Sequence, residues 1–163
     1  MSKAQTDALV AACKERAQNT CLYTSTTFFI WLRLLRTARN VLAALSVILG
    51  AIAAWKVLKQ EYELVMAVCA LLAAIIPPLQ RALGLDAAIE RYTKLGAEFK
   101  NLEGRFLLAA QVTSLKPFSE FEAEVLQLLK RLDDARLASA TPPQFCFWLA
   151  RHQIKKGHYN PDL

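Results

Sequence analysis

The sequence predicts an all-α fold: a two-helix transmembrane hairpin with a long amphipathic N-terminal helix before it and a C-terminal cytosolic helical bundle after it. Three observations carry that expectation. Two apolar runs, residues 41–58 and 64–79, stand back to back, separated by the polar link Lys59-Gln60-Glu61. Basic residues flank the pair: Arg33, Arg36 and Arg39 before it, and Arg81, Arg91 and Lys94 after it. Finally, no stretch alternates apolar and polar residues as a strand would, and the few Gly and Pro residues act as breaks between helices. The expected organisation is an N-terminal helix over 1–40, the hairpin over 41–79 and cytosolic helices over 84–157.

Residues 4–39 read as one helix. Leu9, Cys13, Ala17, Cys21, Thr24, Phe28, Trp31, Leu35 and Ala38 recur at intervals of three and four, which places them on one face. The run Tyr23-Thr24-Ser25-Thr26-Thr27 weakens the helix locally, because hydroxyl and β-branched residues are mediocre helix formers. The first apolar run follows, interrupted only by Ser46, Gly50 and Lys56. The second run carries no charge and is closed by Pro77-Pro78. At 1.5 Å per residue, eighteen residues extend about 27 Å, against a hydrocarbon core of ~30 Å. On length alone, a buried core helix is a rival to a span.

After Gly84 a helix resumes. Leu85, Ala88, Tyr92, Leu95, Phe99, Leu102, Phe106 and Ala109 keep a 3-4-3-4 spacing, the pattern of a coiled-coil or bundle seam. Gly96 and Gly104 sit off that seam and lower its intrinsic stability. Pro117 breaks the pattern. Ser119 with Glu122 suggests a capping box for a helix reaching about Ala138, with Phe121, Val125, Leu128 and Leu132 as its apolar side. Thr141 and Pro142 suggest the N-cap and first position of a last helix, and Gly157 its C-cap.

Charge placement decides what the net +6 means. Residues 1–40 hold six Lys/Arg against two Asp/Glu, whereas residues 84–163 are nearly balanced, with eleven against ten. The surplus precedes the first apolar run, and the link between the runs is near neutral. Both features fit the positive-inside rule with both termini cytoplasmic. Trp31 on the inner side and Trp55 and Tyr62 on the outer side are candidates for interfacial anchors. No Lys/Arg stretch interleaved with aromatics suggests a nucleic-acid groove, so no nucleic-acid partner is expected. Residues 1–27 lack the short apolar segment of a signal peptide.

For catalysis the sequence is nearly silent. It has no GxSxG, P-loop, GxGxxG or HExxH motif, and an enzyme is not expected. Cys13, Cys21, Cys69 and Cys146 form no CxxC pair. They read as free thiols of a reducing compartment, with neither metal nor cofactor expected. Asp133 and Asp134 read as a solvated charged face, and His152 lacks a partner acid or nucleophile.

The intramembrane pattern says more. Ser46, Gly50 and Ala54 form a small-xxx-small stripe that would let helices approach closely, within a hairpin or between subunits. Alanine-rich spans also produce such spacing by chance. Neither run has an ionisable residue at its centre, which speaks against a proton relay or coupled transporter. A pore made from these runs would be lined by Ser, small residues and aliphatics, with charge selectivity set at its mouths. Arg33, Arg36 and Arg39 at the inner mouth read first as topology signals, and second as an anion-attracting vestibule or acidic-lipid contact. Pro77 and Pro78 are a hinge or a fixed corner.

This layout resembles the SLATT family, two-transmembrane effector domains of bacterial conflict and anti-phage systems. The resemblance rests on Trp31-Leu-Arg-Leu-Leu-Arg-Thr-Ala-Arg39, the two apolar runs and the seam that follows, and covers about residues 5–115. It implies a pore-forming effector of the bacterial inner membrane, with membrane lipid and further copies of the chain as partners. The fused sensor of many members has no counterpart among these motifs, so the trigger would come from a separate partner, such as a nucleotide-signal sensor or synthase, or from a ligand held by the cytosolic helices. Assembly is expected through the hairpin and the seam of Leu85, Tyr92, Leu95, Phe99, Leu102 and Phe106. A membrane-anchored scaffold that recruits a soluble partner is the alternative, and a soluble bundle with the two runs as its core is a third.

Overall fold

The computed structural model describes residues 3–57, 63–139 and 141–156. Among them every regular element is helical: α1 (Lys3–Glu15), a π-helical stretch (Arg16–Leu22), α2 (Tyr23–Val57), α3 (Glu63–Ala82), α4 (Leu85–Gln111), a 3₁₀ turn (Thr113–Leu115), α5 (Phe118–Ala138) and α6 (Gln144–Lys155). The link at Lys59-Gln60-Glu61, Tyr62 and the Gly157 cap lie outside the described residues. The chain divides into two compact units, Met1–Trp31 with Tyr92–Leu163, and Leu32–Arg91.

The first unit is built on one closed core. Cys13, Ala17, Cys21 and Phe28 meet Leu95, Phe99, Leu102 and Phe106, and Phe121, Val125, Leu128 and Leu132 complete the cluster. The 3-4 stripes read from the sequence are therefore core faces over Cys13 to Phe28 and Leu95 to Ala109, whereas Ala38, which ends the first stripe, is exposed. The seam on α4 is consumed inside the chain. Leu102 and Phe106 are wholly buried, so a second subunit has no access to them in this fold. The assembly role expected of Leu95, Phe99, Leu102 and Phe106 gives way to a packing role, because one side chain does not fill two interfaces.

Two local devices let this helical stack close. The hydroxyl run that weakens the helix on paper turns back onto the backbone: Ser25 and Thr26 Oγ donate to the Leu22 carbonyl at 3.1 and 2.8 Å, and Thr27 donates to the Tyr23 carbonyl at 2.7 Å. These three side chains are buried. Left unbonded, each would cost about 1–3 kcal/mol. They follow directly on the π-helical stretch, where wider i→i+5 winding leaves carbonyls in need of donors. Gly96 is the second device. A Cβ there would lie 3.3 Å from the Phe29 ring and 3.5 Å from Phe28 Cβ, so glycine admits the close approach of α2 to α4 within this unit.

Helix starts differ from the caps expected. Pro117 is the N-cap of α5, and its carbonyl accepts from the Glu120 and Phe121 amides. Ser119 thus sits inside the first turn, with no capping position left for its hydroxyl. Pro143 is the N-cap of α6, in place of Thr141. A residue followed by proline is driven out of the α region, so Pro142-Pro143 delays the helix to Gln144.

In the second unit, α2 runs on past residue 40 through the first apolar run, with no Gly or Pro before Gly50. Leu42, Ser46, Leu49 and Ala53 are its more buried positions across the apolar run; on α3 they are Met66, Cys69, Ala73, Ile76 and Gln80. Both sets keep the spacing of one helix face. The outward face is apolar, including Val47, Ile48, Leu64, Leu71 and Ile75. Pro77 and Pro78 do not close the second run: α3 continues through both to Ala82. Gly84, with φ +61°, then makes the left-handed turn into α4.

Candidate membrane-embedded site

Two helices are long and apolar enough to cross a membrane, within Ala4–Trp55 and Leu64–Ala82. Of the most apolar 18-residue window of each, 6% and 0% is buried. A core helix of a soluble domain hides its apolar face, and these do not. The first unit has a dry core with buried aromatics, whereas the second leaves long aliphatics bare. An exposed apolar surface of that extent is one that calls for a cover, and lipid or another protein surface can supply it.

Ser46 and Gly50 are half-buried, and Ala54 is exposed. Ser46 Oγ donates to the Ala43 carbonyl at 2.8 Å, which satisfies the hydroxyl within its own helix. A Cβ at Gly50 would meet nothing within 4 Å. Beside Gly50 there is thus room for another helix to approach closely, as small-residue interfaces in lipid require.

Arg33 and Arg36 are exposed. Arg39 is not a free cation: its guanidinium reaches Asp86 at 3.1 Å and the Asn40 side chain at 3.4 Å, while the Gln80 amide donates to its carbonyl at 3.5 Å. These bonds join residues before the first run to residues after the second. The Arg39–Asp86 pair is well exposed and contributes at most ~1 kcal/mol. Its value is geometric. Sequence spacing gave no sign of it, because the partners lie 47 residues apart.

Proline nitrogens carry no hydrogen, so Pro77 and Pro78 leave the Ala73 and Ala74 carbonyls without their α-helical donors. These freed acceptors are the polar backbone of an otherwise aliphatic helix. Leu85 and Tyr92, the two seam positions not in the closed core, are half-buried.

Trp31 is not a free interfacial anchor. It packs edge-to-face on Tyr92 and Phe145, with ring centroids 6.5 and 6.1 Å apart. Its Nε1–H is buried with no acceptor among the described residues. Trp55, by contrast, is exposed.

No family model, curated protein or solved structure matches the chain. Its chemistry is therefore read from its own residues. Among the described residues no group of three or more His, Cys, Asp or Glu could hold a metal. Asp133 pairs with Arg136, and Arg131 with Glu98, as on a solvated charged face. His152 stacks flat on Trp148, 5.9 Å between centroids.

The buried cysteines are held as thiols. Burial pushes Cys21 up to about 11, the Glu103 carboxylate adding to the rise while Arg136 and Arg16 oppose it. Burial likewise raises Cys13, with Arg16 opposing, and raises Cys146. Since the thiolate is the reactive form, these are inert packing groups. An acid whose folded value lies above its ordinary 9.0 stabilises the fold in its protonated form. That contribution is complete below about pH 9 and is lost as pH rises through about 11. Denaturant unfolding at pH 8 and pH 11 should show an excess stability loss in the natural chain, over Cys21→Ala, of up to about 2 kcal/mol.

Proposed function

We propose that this chain is a membrane effector: copies assemble in the inner membrane, and a signal opens a pore that permeabilises it, as in a bacterial defence response. The observation that carries this reading is the pair of helices, each long and apolar enough to span, that leave their most apolar windows bare while the rest of the chain closes a core. The hairpin is supported by the bonds from Arg39 to Asp86 and Gln80, which tie together the ends of the two runs remote from the link. The basic flanks then set both termini on the cytoplasmic side.

Assembly is the step the two runs themselves must supply. The α4 seam is occupied within the chain, so subunits meet through the span helices, and the open space at Gly50 beside Ser46 and Ala54 offers a close helix contact. A pore of such helices has no ionisable side chain at its centre. It conducts by wetting an aliphatic and hydroxyl-lined path, and Arg33 at its mouth favours anions. The freed carbonyls of Ala73 and Ala74 give α3 a soft point where bending is cheap. The trigger would come from a separate nucleotide-signal sensor or synthase.

A flux assay tests this. Purified chain reconstituted into liposomes should release an entrapped ion-sensitive dye, and a bulkier Gly50→Leu should impair both assembly and release. Liposomes that stay sealed at every protein density, with the chain fully inserted, would leave a membrane-anchored scaffold as the better reading.

A further inference from the structure

Helix α6 has no role in a pore built from the two runs, yet its surface is the least ordinary on the first unit. Its inner face is seated through Cys146 and Ala150, both wholly buried. Its outer face leaves Phe145, Phe147 and Trp148 at 50%, 52% and 67% exposure. Arg151, His152 and Lys155 follow them along the helix, with Lys156 just past its end, and no acid occurs between Asp134 and Asp162. Beside this face lies a cavity of about 510 Å³, with largely apolar walls that include Phe28, Pro142, Phe147 and Trp148, and with Thr141, Gln144 and Arg151 among its polar groups and no carboxylate. Arg151 has no protein partner among the described residues.

We propose that α6 is an interfacial helix that docks on the anionic lipid leaflet. Trp148, Phe145 and Phe147 lie at headgroup depth, Arg151 and Lys155 meet lipid phosphates, and the Arg151 cavity seats a headgroup among its hydroxyl and amide groups. Exposed aromatics mixed with cations are the composition of helices that lie in the membrane interface. A nucleic acid fits less well, because residues 84–163 are close to charge balance, with eleven Lys/Arg against ten Asp/Glu, where a nucleic-acid surface is strongly basic. The lipid is also the partner always at hand, because the same chain carries the two apolar runs. This inference rests on residues 41–79 being membrane-spanning. Each cation at an anionic leaflet strengthens docking roughly fivefold. Neutralising both Arg151 and Lys155 therefore weakens it roughly 25-fold.

The test uses the whole chain carrying 5-fluorotryptophan, in nanodiscs of phosphatidylcholine with or without phosphatidylglycerol. The three tryptophan signals are assigned with single Phe variants, and some lipid carries a nitroxide near the glycerol end of its acyl chain. Broadening of Trp148 that strengthens with phosphatidylglycerol and fades in R151Q/K155Q is the expected result. If Trp55 broadens and Trp148 does not, docking is overturned while the spans stand. If neither broadens, the membrane reading itself has failed. A Trp148 signal shielded from water but untouched by the nitroxide overturns docking in favour of a protein cover, such as a second copy. A shift induced by soluble glycerol phosphate with neutral discs, and not by anionic lipid, reassigns the cavity to a free phosphate ester and overturns it too.

Discussion

Replacing Phe106 with alanine is expected to remove a large share of the stability of the first unit, at a cost of about 3–5 kcal/mol. The ring is wholly buried in the cluster that α1, α2, α4 and α5 share. Truncation loses the transfer energy of the ring and leaves a void that four packed helices do not refill. A domain of this size holds only about 5–15 kcal/mol in total, so the loss is a large share of it. Leu108→Ala, two residues on but on the exposed side of α4, should stay within about 0.5 kcal/mol. Denaturant titration in mild detergent, followed by loss of helical signal, compares the two. Equal costs would mean that the α4 seam is not a core face.

Leu71→Arg should have the second largest effect, and of a different kind. Leu71 lies midway along the second run with its side chain 60% exposed. In water, arginine at such a site costs little, since it merely replaces exposed aliphatic surface. At the centre of a spanning helix it costs about 2.5–3.5 kcal/mol by insertion scales, enough to lower the insertion equilibrium constant more than tenfold. Leu71→Phe keeps the apolar character and should insert normally. Glycosylation acceptors placed on either side of the run report insertion directly. An arginine variant that inserts as well as the natural chain would show that this segment is not in hydrocarbon.

Much of the fold was legible because helix faces obey one spacing. Cys13, Ala17, Cys21 and Phe28, and Leu95 through Phe106, were picked out by intervals of three and four and lie in the core. What sequence did not disclose was the partner of each face. A stripe such as Leu95-Phe99-Leu102-Phe106 looks the same whether it meets its own chain or another, and only closure by Phe121, Val125 and Leu128 decides. Helix ends were misplaced where prolines act: Pro117 and Pro143 take the N-cap positions that Ser119 and Thr141 were expected to influence or hold, and α3 tolerates Pro77-Pro78 within itself. Isolated residues gave still less. The position of Trp31 suggests an anchor, but its packing on Tyr92 and Phe145 depends on contacts distant in sequence. The α6 surface was signalled only faintly, by the absence of acids between Asp134 and Asp162 beside three aromatics.

Extraction of the expressed chain from isolated membranes tests the proposal most directly. Pellets are washed with high salt, then with alkaline carbonate, then with detergent. Retention through both washes and release by detergent alone is the expected result, because the bare faces of α2 and α3 then lie in hydrocarbon. Recovery of a monodisperse protein in plain buffer, with Trp55 shielded inside it, would contradict membrane insertion and with it the pore.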